Sequence, residues 1–307
     1  MRTGYPDNKK NTPPGIVAIG EALVDFVPEK NGYVLRPGGA PSNVAVNLSR
    51  MGIKAGIISK VGRDFLGRFL LNFLKKSGVD ISAVKTTKKA KTGLVFVFHN
   101  KYGERDFSFY GSPSADTLLS EREINDSYIK GAGILHFGSI SMMAEQSRKA
   151  VLKAVKRAKK HGLLVSYDPN LRLNLWEGRE GKAAGAIKKY FKYADIIKMS
   201  EDEERYIYGG KITVKNFKKF FRPDKIVVIS SGKKGARFIS GGYSGRVRGV
   251  KARAVDTTGA GDAFMAGLLR GILITGKKCA LTKKEFAGII KYANRAGAAA
   301  VRRKGAV

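Results

Sequence analysis

DTTGAGDAFMAGLL, Asp256 to Leu269, places two glycines around one alanine and follows them at once with an aspartate and an apolar, helix-patterned run. Gly259, Ala260 and Gly261 leave the backbone open to close approach by a ligand. Their N–H groups join the unpaired N–H groups and positive dipole end of the expected helix, which makes a nest for an anion. Asp262 sits on the same turn. A carboxylate there can take the proton of an attacking hydroxyl while the amides hold charge developing on phosphoryl oxygens. The same letters also describe an ordinary helix start with a glycine turn, so the rest of the chain has to decide between the two.

The chain has 307 residues and is 43% hydrophobic, enough for a large core in one α/β domain with an appended piece or in two domains. Its single cysteine, Cys279, excludes a disulfide framework and a cysteine-rich metal site, and suits a reducing compartment. No apolar run reaches membrane-spanning length. The segment MRTGYPDNKKNTPPG is polar and proline-rich, so residues 1 to 14 read as a loose tail and the protein as cytoplasmic. Lys and Arg number 58 against 25 Asp and Glu, a formal charge of +33. Such a field attracts nucleic acid, anionic membrane or acidic substrate. The basic residues are nevertheless spread along the chain, with no zinc-finger spacing, RNP-like box or heptad repeat beside them. No specific nucleic-acid partner is therefore expected, and for an enzyme a basic surface would steer a polyanionic small molecule.

Strand, glycine turn and helix then repeat. Gly15 to Gly20 (GIVAIG) reads as a buried first strand that Glu21 to Asp25 continue, with Asp25 near its end. Pro41 to Met51 is helical, and Ala55 to Val61 is a strand. Asp64 caps an amphipathic helix that ends at Gly78. Further helices are expected at about 147–160 and 182–193, and strands at Leu163 to Tyr167, Asp195 to Met199 and Lys225 to Ser230. This alternation implies a mostly parallel sheet with helices on both faces. Gly93 to Tyr110 breaks the pattern: apolar and polar residues alternate on both sides of Lys101 to Glu104, as in an antiparallel hairpin. With strand-like residues at about 32–37 it would form a small β lid over the carboxyl ends of the parallel strands, where such sheets bind ligands.

RPGGAPSNVAVNLSRMG (Arg36 to Gly52) and VDTTGAGDAFMAGLL (Val255 to Leu269), in this order and about 215 residues apart, resemble the two signature segments of the PfkB (ribokinase-like) carbohydrate kinase family. GEALVDF, KVGRDFLG, HFGSIS, SYDPNLRLNLW, KMSEDE and SSGKKGARF extend the resemblance over nearly the whole chain, towards fructokinases and 2-keto-3-deoxygluconate kinases. It implies a three-layer ribokinase-like sandwich over 15–307 and Mg²⁺- and ATP-dependent phosphorylation of a sugar hydroxyl. Fructose is the favoured sugar, 2-keto-3-deoxygluconate the alternative, then ribose or a nucleoside. From a different class, a nucleic-acid-binding protein on a retired kinase fold is the competing reading. A homodimer through the lid is a family-level expectation.

The resemblance also assigns roles, each compatible with the chemistry of its residue. Asp25 would accept hydrogen bonds from sugar hydroxyls, Gly38 and Gly39 would bring backbone N–H groups to the sugar, and Asn43 would offer its amide. Phe96, Phe98, Phe107 or Phe109 would cover the sugar from one lid face, with Arg105 reaching a sugar oxygen. Arg172 would bridge the sugar and the γ-phosphate with its cationic fork. Ser200 and Glu203 form an S-x-x-E capping box where many relatives carry N-x-x-E; Glu203 would organise water and Mg²⁺. Ser231, Gly232 and Gly235 resemble the ATP loop, and Asn294 lines the adenine pocket. Asp256 and the Thr258 carbonyl would hold a monovalent cation such as K⁺. Gly259, Ala260 and Gly261 take the phosphate and Asp262 the hydroxyl proton.

Overall fold

The first apolar run becomes β1 (Ile16–Ile19), whose four residues are all buried. They alternate between the two faces of the sheet: Ile16 and Ala18 enter one hydrophobic cluster, Val17 and Ile19 the other. Burial on both faces explains why the run is continuously apolar. The computed structural model of the protein describes residues 14–99, 105–240, 242–277 and 280–307. The expected tail lies almost wholly outside them, as do Lys101 to Glu104 and Cys279.

Chain order gives β2 (Leu23–Glu29), β3 (Gly32–Gly38), α1 (Ala40–Arg50), β4 (Ala55–Ile58), β5 (Lys60–Gly62), α2 (Phe65–Lys76), β6 (Lys85–Thr87), β7 (Leu94–His99) and β8 (Arg105–Tyr110). Then follow α3 (Asp126–Lys130), β9 (Ile134–Gly138), α4 (Glu145–Lys160), β10 (Leu164–Asp168), α5 (Glu180–Phe191), β11 (Ile196–Ser200), α6 (Glu201–Tyr208) and α7 (Val214–Phe220). The last elements are β12 (Ile226–Ser230), β13 (Ala236–Ser240), β14 (Ser244–Val247), α8 (Ala260–Thr275) and α9 (Lys283–Ala300).

The large sheet runs β14-β13-β12-β11-β10-β9-β1-β4, parallel from β4 to β12, with β13 and β14 antiparallel at the edge. Residues of α1, α2, α8 and α9 fill the cluster on one side, and residues of α4, α5 and α7 the other. This is the three-layer α/β sandwich that the sequence implies. Asp64 caps α2 as read, its Oδ1 accepting from Gly67 N at 2.8 Å.

Two expectations are corrected. Leu23 to Glu29 do not continue the first strand. They leave the central sheet as β2 and join a second sheet, ordered β3-β2-β7-β8, so Asp25 stands on the lid rather than at the end of a core strand. β2 and β3 pair antiparallel from Leu23–Gly38 to Glu29–Gly32, leaving Lys30 and Asn31 as a tight turn whose Asn-Gly step is the local hairpin signal. The four lid phenylalanines also do not share a face. Phe107 and Phe109 stand opposite Val97 and Val95, while Phe96 and Phe98 stand opposite Ser108 and Asp106. Strand alternation therefore turns Phe96 away from the site, where it packs against Phe26, Tyr33 and Tyr110.

Candidate active site

The nest in DTTGAGD opens α8, whose apolar residues fill the hydrophobic cluster on one face of the sheet. Gly259, at φ 73, is the left-handed residue before α8, and Ala263 N reaches back to its carbonyl at 2.8 Å. A side chain at Gly259 would run into the backbone of Ala306, so glycine here serves both the turn and the packing of the chain's last residues. Asp262, in the first turn, is only 9% exposed. Asn43, from α1, donates from Nδ2 to its Oδ2 at 2.8 Å. Burial, with the Asp168 carboxylate adding to it, pushes the Asp262 carboxyl up to about 6 against the opposing pull of Asn43, Lys198 and Arg172. A carboxyl poised there can accept a proton near neutral pH.

Asn43 is in reach because α1 starts directly after Gly39, which at φ 96 lets the chain turn tightly over the Glu21 carbonyl. Gly38 lies against Asp25: an added Cβ would meet its carboxylate oxygen at 2.6 Å. Asp25, Gly39, Asn43, Phe107, Arg172 and Asp262 line one pocket, with Val95 and Phe109 closing its lid side. Arg172 lies over the Phe107 ring at 5.0 Å, and Asn174 bonds the Phe107 carbonyl, so the lid is docked on the loop after β10. The pocket thus combines polar groups of β2, α1 and α8 with aromatic carbon of the lid. The side chain of Arg105 lies outside the described residues.

A second cavity of about 440 Å³ adjoins the other side of the nest. Gly232, Gly235, Gly261, Phe264, Asn294 and Gly297 are among its walls. Asn294 Nδ2 donates to the Arg248 carbonyl at 3.1 Å, and β12 contributes Ser230 rather than the expected Ser231, whose N–H is turned to the Gly235 carbonyl at 2.8 Å. A third space shares Asn170 and Arg172 with the first pocket and is lined also by Lys198, Ser200 and Glu203. Ser200 and Glu203 close the capping box: Glu203 N donates to Ser200 Oγ at 3.1 Å and Ser200 N to Glu203 Oε2 at 2.6 Å. Glu203 Oε1 accepts from Leu171 N at 2.6 Å, tying α6 to the loop that carries Arg172. Asp256 accepts from Thr258 N at 2.8 Å and Gly305 N at 2.9 Å, while the buried Thr258 hydroxyl has no hydrogen-bond partner.

Lys198 and Asp168 join the site although the segments that contain them, KMSEDE and SYDPNLRLNLW, assign neither a role. Lys198 Nζ donates to Asp168 Oδ2 at 2.8 Å, and the two side chains are 8% and 5% exposed. A signal for them does exist: IIKMS is a core strand, and a lysine in one needs a buried acid nearby. Two further residues lie in the quoted segments SYDPNLRLNLW and GEALVDF without an assigned role. Asn170 is held at φ 45 in the same loop as Arg172, and Glu21, buried beneath the sugar-side turn, accepts from Ser141 Oγ at 2.7 Å.

An α/β sandwich whose strand ends join a pocket for a hydroxylated ligand to a larger cavity through one anion nest defines a phosphotransferase of the ribokinase-like class. Residues 14–307 match the pfkB family carbohydrate kinase model, and the chain belongs to that family. It is 42% identical over 306 residues to the probable fructokinase-5 of Arabidopsis thaliana, covering 96% of this chain and 93% of the relative. It is 41% identical over 302 residues to fructokinase-1 of Oryza sativa subsp. japonica, covering 95% and 93%. The fructokinase of Vibrio cholerae O395, solved with fructose, ADP and calcium ion, superposes with a TM-score of 0.86 at 33% identity, covering 95% of this chain and 94% of that one. Fructokinase from Xylella fastidiosa with bound ATP gives 0.87 at 28% identity, covering 95% and 94%. Among the described residues no helix is long and apolar enough to cross a membrane.

Proposed function

We propose that the protein is an ATP-dependent fructokinase that makes fructose 6-phosphate. The observation that carries this is the position of Asp262: buried on the first turn of α8, in the wall of the sugar-side pocket, beside a Gly261 that lines the adjoining cavity. The sugar lies between Asp25, Asn43 and the lid aromatics, with its primary hydroxyl at Asp262. The hydroxyl oxygen attacks the γ-phosphorus as its proton passes to the Asp262 carboxylate, and the bond to the β-phosphate oxygen breaks with its electron pair leaving on ADP. Backbone N–H groups at residues 259–262 and the Arg172 guanidinium hold the spread negative charge.

Mg²⁺ would supply charge neutralisation on the phosphates. With both Glu203 oxygens already accepting backbone N–H groups, Glu203 suits an indirect hold through water. Asp256 and the Thr258 carbonyl would hold a monovalent cation such as K⁺, a reading that the orphan Thr258 hydroxyl in the same loop supports. The outer lid face, with Tyr33 51% and Tyr110 56% exposed beside Phe96, is our candidate homodimer surface. The single cysteine suits a cytoplasmic enzyme.

The test is ATP consumption over a panel of fructose, 2-keto-3-deoxygluconate, ribose, glucose and adenosine, with and without Mg²⁺ and K⁺. Fructose should be turned over best. Preference for another sugar would reassign the substrate, and no turnover on any, with salt-resistant, sequence-dependent nucleic-acid binding, would replace the kinase reading.

A further inference from the structure

We propose that Lys198 is a further catalytic residue of this phosphoryl transfer: its buried ammonium, fixed by Asp168, contacts the γ-phosphoryl oxygens in the nest and, with Arg172, balances their negative charge. This rests on the kinase reading of the site. A Cβ placed on Gly261 would come within 3.2 Å of Lys198 Nζ, so the ammonium stands against the second glycine of the anion nest. Lys198 also lines the same space as Arg172, Ser200 and Glu203, a space that shares Asn170 and Arg172 with the sugar-side pocket. It is 6% exposed.

Burial alone would push such an ammonium down, yet the carboxylates of Asp168, Glu203 and Asp262 keep it above the ordinary lysine value, hence charged. A pair made only for structure would be expected to be saturated by its partner. Here Asp168 engages Nζ through Oδ2 alone, its buried Oδ1 having no hydrogen-bond partner, and an ammonium has three donors. The remaining donors fit the equatorial oxygens of a phosphoryl group seated on residues 259–262. In the transfer the new oxygen–phosphorus bond forms on the sugar, the bond to the leaving β-phosphate oxygen breaks, and the proton goes to Asp262. Lys198 loses no proton and forms no covalent bond. It contributes a fixed positive charge where the phosphoryl oxygens become more exposed.

Removing Lys198 alone would strand a buried carboxylate, so the informative variant is Lys198→Met combined with Asp168→Asn, compared with Asp168→Asn by itself. The amide oxygen introduced by Asp168→Asn retains an acceptor for Nζ. We expect the double variant to lose about 10²–10³-fold in kcat, with KM for fructose within about threefold and Asp168→Asn within about tenfold of wild type. By calorimetry, the double variant should bind ADP with near wild-type affinity and the γ-phosphate-bearing analogue AMP-PNP at least about tenfold more weakly, a split that a structural pair would not produce. Wild-type kcat in the double variant, or an equal loss in both variants with the AMP-PNP to ADP ratio unmoved, would overturn the assignment. A wild-type enzyme that phosphorylates no sugar would overturn the kinase reading, and this inference with it.

Discussion

Asn43 Nδ2 lies 2.8 Å from Asp262 Oδ2, joining helices whose contacting positions are 219 residues apart and that carry the two glycine-rich signatures of the chain. The bond stabilises the charged carboxylate, and it is set against burial, which favours the neutral acid. Asn43→Ala should therefore raise the Asp262 carboxyl above its value of about 6 and move the acid limb of kcat/KM to higher pH. A hydrogen bond to a charged group contributes about 1.5–3 kcal/mol, so the limb should move by about one pH unit or more. pH–rate profiles of the two enzymes check this; an unmoved or lowered limb speaks against Asp262 as the titrating group.

The same burial implies a stability effect of opposite sign to the functional one. A carboxyl raised from 3.8 to about 6 in the folded protein ionises first in the unfolded chain. Stability is therefore lost as pH rises between those two values and the loss is complete above about 6. Asp262→Asn, which keeps an acceptor for Asn43, should be more stable than wild type at pH 7.5 by on the order of 2–3 kcal/mol, with the difference closing at pH 4.5. Denaturant unfolding at both values measures it.

Asp25 faces the sugar-side pocket from the lid strand β2, and only a glycine at 38 leaves room for its carboxylate, which a Cβ there would meet at 2.6 Å. Asp25→Ala should raise KM for the sugar by about 10²-fold or more while KM for ATP stays near wild type, because buried hydroxyls of the substrate lose their acceptor. Steady-state kinetics in both substrates separate this from a general loss of the fold. An unchanged sugar KM would remove Asp25 from the binding set.

Gly259→Ala forces a Cβ into a left-handed position, at φ 73, and against the Ala306 backbone. Strain of about 1–2 kcal/mol from the backbone conformation adds to that clash, so the variant should unfold at lower denaturant and turn over more slowly. Wild-type stability would mean that the C-terminal residues do not pack on the nest.

Periodic elements are legible in the sequence because their signals are local. Asp64 caps α2 through its own carboxylate, and GIVAIG is apolar throughout because both faces of β1 are covered. Asp262, Asn43 and Gly39 are legible through motifs whose small residues and acid have a direct chemical reading. What escapes depends on where the chain goes next. LVDFVPE has the composition of a core strand, and only its pairing with β3 and β7 places Asp25 on the lid. The lid phenylalanines divide between two faces because cross-strand register sets Phe96 against Ser108 and Phe107 against Val97, which letters on either side of a hairpin do not specify. Lys198 escapes because its partner, Asp168, is 30 residues away on the neighbouring strand.

Asp262, the proposed base that takes the hydroxyl proton, is tested most directly by Asp262→Asn. With fructose and Mg·ATP, kcat should fall by about 10²–10⁴-fold while the dissociation constants of ATP and fructose stay within about threefold of wild type. Near-normal kcat in that variant would contradict the assignment.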